Sequence, residues 1–426
     1  MEMPTGHSPV GGSAAKRIIA CPASVILDPS HDVDDESDHA ALGTVVHSLI
    51  EYCFSAGTDA WRYIGSDSFT SLPVTKSMAN GAQVMLDEVR KAHPDRNQGN
   101  FWVERKFHRP NRHPLYHGTA DVVHLDEVEV SKGDGGGTFT WKTLHIWDYK
   151  NGAGVVVEAK ENEQGMYYAC GILDELNLWH GVDEVAIHIV QPNAWHADGI
   201  HRRWFTTPHA LVDWLNTVMV PAIVRAMDPD SPREAVTGEH CRFCPKRFRT
   251  CPGLMAEMEE LETMIDAIVA HPDGTEMLSN EQLGRFLDLF DRAKIVATAA
   301  GQAAFKRIQG GGRVPGRKLV PARANRVFHE ELDGEAVTVA AKGMFGADAF
   351  VRPALKSPAQ MEELPGGTNF VQRWAYKPDA GLTLAPNKDA RPEVSRDTKA
   401  LFQPVEPPAP AAPAILPPPA RRRKTA

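Results

Sequence analysis

The stretch LHIWDYKNGAG, residues 144–154, places an acid and a base two positions apart at the end of an apolar run. In a β-strand, side chains at positions i and i+2 point to the same face, so Asp148 and Lys150 emerge together while Tyr149 points away. A simple ion pair on a strand face would explain these two residues taken alone. The segments around the strand decide between that explanation and a functional site.

These surrounding segments predict an α/β fold. Strand-like runs precede the quoted stretch at 101–108 and 118–130, and a strand at 138–150 includes its first seven residues. Further elements are predicted on either side: helices at 38–54, 81–93, 159–178 and 208–227, and a strand at 184–192. This order predicts a mixed sheet flanked by helices.

Composition divides the chain into four parts. Residues 1–15 are rich in Gly, Ser and Pro and are expected to be disordered, and residues 16–258 to form the α/β domain. Residues 259–398 are expected to form a mostly helical or α+β accessory domain, and the Pro-rich, basic tail at 399–426 to be disordered. Elements predicted after the cysteine-rich segment are helices at 253–269 and 280–308 and a strand at 317–328.

Size and charge exclude some classes of protein. The chain has 426 residues, 42% of them hydrophobic, which is enough for a sizeable core. Its formal net charge of -9 excludes a uniformly basic, histone-like protein, although a local basic patch can still bind phosphate. No run of about 18 apolar residues is present, so no membrane span is predicted. We therefore expect a cytoplasmic protein.

Several polar side chains fall on the predicted elements near the quoted strand. His47 and Glu51 are four residues apart on one helix, and Gln164 and Tyr168 on another, so each pair shares a helix face. Asp121 lies in GTADVV, where small residues would let a ligand approach. These residues indicate that the quoted strand lines a site.

Two carboxylates that converge from neighbouring strands repel each other unless a cation lies between them. Magnesium prefers oxygen ligands of this kind. Asp148 would then hold a metal ion together with Asp121, and Lys150 would orient the attacking water or stabilise charge that develops on a phosphate.

Asp121 followed by DYK at 148–150 resembles the signature of the PD-(D/E)XK nucleases. GTVVHSLIE and QGMYY are similar to the extra histidine and Gln/Tyr motifs of the RecB-type branch. The resemblance implies a restriction-endonuclease-like core and a Mg²⁺- or Mn²⁺-dependent DNA nuclease. The roles it implies are metal binding by His47, Asp121 and Asp148, catalysis by Lys150, and positioning of the DNA or the site by Gln164 and Tyr168.

The chain departs from that family's commonest pattern at one position. The third motif more often carries Glu than Asp, so Asp148 is a permitted but less frequent variant. Glu51 and Glu104 are candidates for secondary support only.

Three of the six cysteines, Cys241, Cys244 and Cys251, form a C-x2-C-x6-C cluster. The cluster is one ligand short of a closed tetrahedral site, and His240 or Cys21 would complete a zinc site. One early cysteine and three after the core are also similar to the iron–sulfur nucleases of the helicase–nuclease and CRISPR spacer-acquisition types. That similarity implies a structural [4Fe–4S] cluster bound by Cys21 and the three late cysteines, with structural Zn²⁺ as the alternative.

Cations and aromatic residues accompany the late cysteines, namely Arg242, Lys246, Arg247 and Arg249 with Phe243 and Phe248. This combination suits the backbone and bases of DNA, particularly of a single strand. The layout from CPAS at 21–24 to LKSPAQMEEL at 355–364 resembles phage and prophage nuclease-like proteins over about residues 16–395. The resemblance implies linear or single-stranded DNA ends as substrate, a bacterial host cell, and a phage single-strand annealing protein as a partner.

The predicted function is hydrolysis of DNA phosphodiester bonds, by an exonuclease of phage recombination, replication or repair. One alternative is a catalytically inactive protein that keeps the nuclease fold and the cluster in order to bind DNA or to assemble. Another is a redox protein that uses the cluster, although no convincing G-x-G-x-x-G motif accompanies it.

Overall fold

The computed structural model describes residues 8–25 and 38–394 with short gaps. The gaps are residues 71, 98, 133–135, 153–154, 231–232, 249–250, 324–325, 329–333, 352–353 and 379–380. The chain divides into two compact units, Met1–Ala299 and Ala300–Ala426. Residues 1–7 and the predicted tail at 399–426 lie outside the described residues.

The first unit combines one large sheet with helices. Its α-helices in the described residues are α1 (Ala15–Ala20), α2 (Asp38–Ala56), α3 (Lys76–Ala92), α4 (Glu163–Glu175), α5 (Pro208–Trp214), α6 (Val220–Met227) and α7 (Pro252–Ala270). Its strands are β1 (Phe101–His108), β2 (His117–Ser131), β3 (Thr138–Tyr149), β4 (Glu184–Val190) and β5 (His201–Thr206). A π-helical turn, Leu215–Met219, joins α5 to α6, and α8 (Asn280–Gln309) contains the boundary between the units.

The five strands form one mixed sheet in the order β1-β2-β3-β4-β5. All neighbouring strands are antiparallel except β3 and β4, which are parallel. A parallel pair needs a crossover connection, and α4 supplies it because it lies between β3 and β4 in the chain. The arrangement confirms the predicted mixed sheet flanked by helices.

Helices cover both faces of the sheet, because apolar side chains on the strands alternate between the faces. On β3, Leu144 and Ile146 enter a core shared with α1, α4, α5 and α6. Trp147 and Tyr149 enter a second core shared with α2 and α3. Asp148 lies between these two residues, so alternation directs its side chain to the α4 face.

The first turn of α4 is fixed against the sheet by a cap and by a close approach. The side chain of Asn162 accepts a hydrogen bond from the backbone N–H of Gly165 at 2.9 Å. A Cβ atom on Gly165 would lie 2.5 Å from Cγ2 of Ile187, so glycine lets the helix approach β4. Gln164 is therefore held at a defined height above the strands.

Residues 8–15, which composition suggested to be disordered, pack into the core instead. Val10, Ala14 and Ala15 are buried on the α4 face of the sheet. Small residues permit close packing as well as disorder, and a Cβ atom on Gly12 would lie 2.6 Å from Cε1 of Tyr168. This segment therefore supports the ring of Tyr168.

The boundary predicted at residues 258 and 259 falls inside α7, and the two units divide later, within α8. Glu257 of α7 accepts a hydrogen bond from Oγ1 of Thr237 at 2.8 Å and pairs with Arg285 of α8 at 3.3 Å. These contacts attach α7 and the first part of α8 to the first unit. The change in composition after the last cysteine does not reveal them.

Most predicted elements agree with the structure within a few residues, but β5 is not predicted. Its sequence, HRRWFT, is mostly polar and basic. The strand lies at an edge of the sheet and pairs only with β4, and edge strands tolerate charged residues. The start of α3 also precedes its prediction, because Thr75 caps the helix through the N–H of Met78 at 3.2 Å.

Within the described residues, one helical stretch, Pro208–Met227, is long and apolar enough to cross a membrane by length and composition. Its mean hydropathy reaches 1.3. Its apolar face packs in the core of the first unit through Leu211, Leu215, Met219, Ala222, Ile223 and Ala226. Core packing therefore accounts for one apolar face of this stretch, of which 33% is buried.

The second unit is smaller and contains short antiparallel strand pairs. Its elements in the described residues are α9 (Gly334–Phe345), α10 (Pro358–Glu362), α11 (Gly367–Trp374), β6 (Arg317–Pro321), β7 (Val327–Phe328), β8 (Phe350–Val351), β9 (Ala354–Leu355), β10 (Ala375–Tyr376) and β11 (Leu382–Pro386). The pairs are β6 with β11, β7 with β10, and β8 with β9. A core that includes Val337, Met361 and Phe370 holds α9, α10 and α11 together.

Candidate active site

Three neighbouring strands of the first unit each contribute one carboxylate to the same region. Glu104 comes from β1, Asp121 from β2 and Asp148 from β3. The backbone N–H of Tyr149 donates a hydrogen bond to Oδ2 of Asp121 at 2.8 Å, which ties the Asp121 side chain to β3. The sheet thus brings together acids that are distant in sequence.

His47 of α2 meets two of these acids. Its Nδ1 lies 3.4 Å from Oδ2 of Asp121 and 3.9 Å from Oε1 of Glu104. One ligand atom from each of the three residues lies within 4.8 Å of the others, and all three side chains are partly exposed. A single cation between them would be reachable from solvent.

Glu104 has an unusual backbone for a strand residue. The β1–β2 register pairs Val103 with Val122 and Arg105 with Ala120, which places Glu104 opposite Asp121. Glu104 has φ 48, in the left-handed region that glycine favours. Such strain costs about 1–3 kcal/mol and is commonly found at functional sites, and two like charges directly opposite each other add to the cost. A bound cation would offset the repulsion.

The pKa of Glu104 leads to a prediction about stability. Burial raises this pKa from 4.5 to about 7, and the charge of Asp121 raises it as well. The folded chain therefore holds the proton more tightly than the unfolded chain, and the resulting stability is lost as pH rises from 4.5 to about 7. In buffer with a chelator, the melting temperature of the wild type should fall across this window by a few degrees more than that of Glu104→Gln, as measured by circular dichroism. Identical pH profiles would show that Glu104 is not perturbed.

Asp148 and Lys150 form a hydrogen-bonded network with the start of α4. Nζ of Lys150 lies 2.8 Å from Oδ2 of Asp148 and donates a hydrogen bond to Oε1 of Gln164 at 2.6 Å. The amide nitrogen of Gln164 donates to Oδ1 of Asp148 at 3.0 Å and to the hydroxyl of Tyr168 at 3.1 Å. Gln164 therefore uses both ends of its amide to hold the acid and the base in place.

Electrostatics in this network favour a nearby positive charge. Burial raises the pKa of Asp148, the ammonium group of Lys150 opposes that rise, and the charge of Asp121 adds to it. Asp148 is 2% exposed, so water compensates its charge poorly. His47 also lowers this pKa, which places Asp148 within electrostatic reach of the His47, Glu104 and Asp121 set.

The structure thus brings together all of the predicted catalytic residues. His47 and Asp121 share one set of ligand atoms with Glu104, which sequence reasoning gave only a supporting role. Asp148 instead contacts Lys150 and Gln164 directly. Glu51 is exposed. The position of Glu104 opposite Asp121 can be recognised only from the strand register. The left-handed backbone of Glu104 has no signal in the sequence.

The four cysteines predicted to bind a cluster line one cavity of about 140 Å³. Cys21, Cys241 and Cys244 are buried, and Cys251 is partly exposed. Burial raises the pKa of Cys241, and the three neighbouring thiols raise it further, which places all four within electrostatic reach of one another. His240, the other candidate ligand, lines the same cavity and makes a hydrogen bond to the carbonyl of Val236 at 2.9 Å.

The predicted DNA-binding segment consists of two 3-10 turns, Glu239–Phe243 and Pro245–Phe248. Arg242 is exposed, Lys246 lines the cysteine cavity, and the ring of Phe243 is 62% exposed. Arg249 lies outside the described residues, as does the side chain of Arg247. A cation and an exposed aromatic ring therefore stand side by side in the described part of this segment.

A known family covers most of the chain, including both the acid-rich site and the cysteine cavity. The match extends over residues 7–392, and the family is described as "Protein of unknown function (DUF2800)". That range contains every candidate site residue from His47 to Cys251, and Cys21 before them. The chain therefore belongs to the DUF2800 family.

Proposed function

We propose that the chain is a metal-dependent DNA nuclease of the PD-(D/E)XK superfamily, related to the RecB-type iron–sulfur nucleases, which acts as an exonuclease on linear DNA. The observation that carries this proposal is the convergence of Asp121, His47 and Glu104 beside the Asp148–Lys150 pair of the adjacent strand. A mixed sheet flanked by helices, with these residues on adjacent strands and helices, supports the assignment of the fold.

The donor atoms suit a hard divalent cation. Glu104 and Asp121 offer carboxylate oxygens and His47 offers Nδ1, a set that leaves room for water and phosphate oxygens around Mg²⁺ or Mn²⁺. When bound, such an ion supplies activation of water and neutralisation of phosphate charge. The repulsion between Glu104 and Asp121 supports the fit, since a bound cation relieves it while both carboxylates stay ionised.

Lys150 is proposed to contact the phosphate or the attacking water, and the neighbouring side chains hold Lys150 in position. Lys150 places an ammonium group beside the acids, where it can donate to a phosphate oxygen or to the attacking water. Asp148 and Gln164 restrict the Lys150 side chain through contacts at 2.8 and 2.6 Å. Tyr168 supports Gln164 at 3.1 Å, and burial raises the pKa of Tyr168, so its hydroxyl stays protonated.

We assign the cysteine cavity to a structural [4Fe–4S] cluster. Four thiolates on a single zinc ion at about 2.3 Å would lie roughly 3.8 Å from one another. Among the described residues, the sets whose ligand atoms all lie within 4.8 Å contain no cysteine, which favours a larger group with more widely spaced ligands. The cluster would join the N-terminal Cys21 to the three cysteines that follow the sheet.

DNA contact is assigned to the segment next to this cluster. Arg242 offers a cation and Phe243 an exposed ring, and a single-stranded end can use both, one for phosphate and the other for base stacking. Because a single-stranded end exposes both phosphates and unpaired bases, this pair of side chains favours DNA ends as the substrate.

The proposal is tested with Lys150→Met on end-labelled linear DNA in the presence of Mn²⁺. We expect roughly 10²–10³-fold slower cleavage, because the ammonium group that stabilises the developing charge is removed. Lys142→Met is the matched control, since Lys142 lies on the strand that Lys150 follows and pairs with Glu127 at 2.8 Å, and it should cleave like the wild type. Equal rates for the two variants would remove Lys150 from the mechanism. DNA binding without cleavage by the wild type would instead favour the inactive, DNA-binding alternative.

A further inference from the structure

Three histidine side chains lie close together on the α3 side of the sheet. His124 projects from β2, His145 from β3, and His93 follows the last residue of α3. One nitrogen from each lies within 4.8 Å of the others. His93 and His124 are 2% and 0% exposed, so the set is enclosed by protein.

This set is separate from the candidate active site. His124 and His145 are cross-strand partners, and each lies three positions from the acid on its own strand, Asp121 or Asp148. Side chains alternate along β3, so the separation of three places His145 and Asp148 on opposite faces of the sheet, and His124 lies on the face of its partner His145. Trp147, two positions from His145, belongs to the core of α2 and α3, which agrees with this assignment. An ion bound by the histidines would therefore not contact Asp121 or Asp148.

A chain of hydrogen bonds determines which nitrogen of His145 has a lone pair. The carboxylate of Glu88 can only accept, so Nδ1–H of His201 donates to it at 2.8 Å. Nε2 of His201 then accepts from Nδ1 of His188, and Nε2 of His188 from Nδ1 of His145, both at 2.9 Å. The lone pair of His145 is left on Nε2. In proteins, a hydrogen bond to the ring nitrogen that does not bind the metal orients a metal-bound histidine in this way.

Burial keeps these imidazoles neutral, which is the form that binds metal ions. It lowers the pKa of His93 to about 3 and that of His145 to about 4. Burial also lowers the pKa of His124 and of His188. At neutral pH the set therefore offers lone pairs and not positive charges.

Three nitrogens of the set lack a hydrogen-bond partner among the described residues. They are both ring nitrogens of His124 and Nε2 of His145. A buried polar atom left unpaired costs about 1–3 kcal/mol, so three in one place indicate a missing ligand. Oδ2 of Asp126 lies 4.0 Å from Nε2 of His145, which brings a carboxylate oxygen to the same place.

His93 has one contact that competes with a metal ion. Nε1–H of Trp147 donates a hydrogen bond to Nε2 of His93 at 3.1 Å. An ion bound to that nitrogen would take the lone pair that Trp147 uses. Trp147 is fully buried and stacks on His188 with ring centroids 3.9 Å apart, so its fluorescence would report the change.

We propose that His93, His124 and His145, with Asp126 as fourth donor, form a structural Zn²⁺ site. Three imidazoles and one carboxylate suit zinc, whereas Mg²⁺ prefers an oxygen set like that of the active site. The ion links β2 and β3 to the end of α3, the helix that covers this face. Four protein donors leave no open position, so the role of the ion is structural.

The test is the zinc content of the full-length chain after removal of metal, incubation with ZnCl₂ and dialysis, measured by mass spectrometry of the elements. His124→Phe keeps an aromatic ring but removes both nitrogens, and we expect it to lose one equivalent of zinc relative to the wild type. His209→Ala is the matched control, because His209 is 86% exposed, and it should lose none. His124→Phe should lose the same one equivalent when it is introduced into Asp121→Asn, which separates this site from the proposed nuclease centre.

A zinc titration followed by tryptophan fluorescence provides the second readout. The signal should change in the wild type and stay constant in His124→Phe. If His124→Phe does not fold, the absorption spectrum of cobalt-loaded Asp121→Asn decides, because this variant lacks one ligand of the proposed nuclease centre. Bands of Co²⁺ bound by nitrogen and oxygen support the site, and thiolate-bound Co²⁺ alone overturns it. Equal zinc content in wild type and folded His124→Phe would also overturn it.

Discussion

Asp121→Asn is expected to lower the rate of DNA cleavage at least about 10³-fold, the largest effect of any single substitution in the site. Asp121 would supply a ligand of the proposed metal ion, and a bound metal ion contributes several kcal/mol of transition-state stabilisation, where each 1.4 kcal/mol is a factor of ten. The amide keeps the shape of the side chain, and its oxygen can still accept the hydrogen bond from the N–H of Tyr149. The fold should therefore persist.

Two measurements make this result interpretable. Calorimetry should show weaker Mn²⁺ binding to Asp121→Asn, and circular dichroism should show an unchanged spectrum. Asp213→Asn is the matched control, because Asp213 is a 64% exposed surface acid, and it should retain both activity and Mn²⁺ binding. Full activity of Asp121→Asn would remove this residue from the proposed metal site.

Cys244→Ser is expected to abolish binding of the proposed iron–sulfur cluster. Cys244 is buried, lines the cavity with the other three cysteines, and would supply one of four thiolates. Without the cluster the link between Cys21 and the late cysteines is lost. By comparison with the loss of a native covalent cross-link, the free energy of unfolding should fall by about 2–5 kcal/mol.

The measurement is the iron and sulfide content of chain purified without oxygen, together with the visible absorption spectrum. Cys53→Ala is the matched control, since Cys53 is a fully buried cysteine of α2 outside the cavity and should leave the iron count unchanged. One zinc ion per chain in place of iron would support the alternative structural metal. Equal iron content in Cys244→Ser and Cys53→Ala would contradict the assignment of Cys244 as a ligand.

The sequence predicts the core of the fold well because the pattern of apolar residues there is strong. Strand β3 alternates between two cores, so both its position and its burial on two faces can be read from its residues. Strand β5 escapes prediction because an edge strand needs few apolar residues. Residues 8–15 escape because their small side chains are equally typical of disorder and of close packing against Tyr168.

The candidate site is predictable only in part. Asp148, Lys150, Gln164 and Tyr168 follow strand and helix periodicities, and the structure joins them in one hydrogen-bonded network. The position of Glu104 opposite Asp121 depends on the strand register and on a left-handed backbone at Glu104. Neither feature can be read from the neighbouring residues in the sequence.

The histidine cluster has no sequence signature, because its members come from separate elements with unrelated spacing. His93 follows a helix, and His124 and His145 become neighbours only through the pairing of β2 with β3. No short motif contains any two of them. Such sets become visible only when the strand order and register are known.

Incubation of the full-length wild-type chain, purified without oxygen, with end-labelled linear DNA is the most direct test of the proposed nuclease. We predict progressive release of labelled nucleotides with Mg²⁺ or Mn²⁺, and none when a chelator is present. Intact DNA under both conditions, from protein that binds Mn²⁺ and carries its cluster, would contradict the proposal.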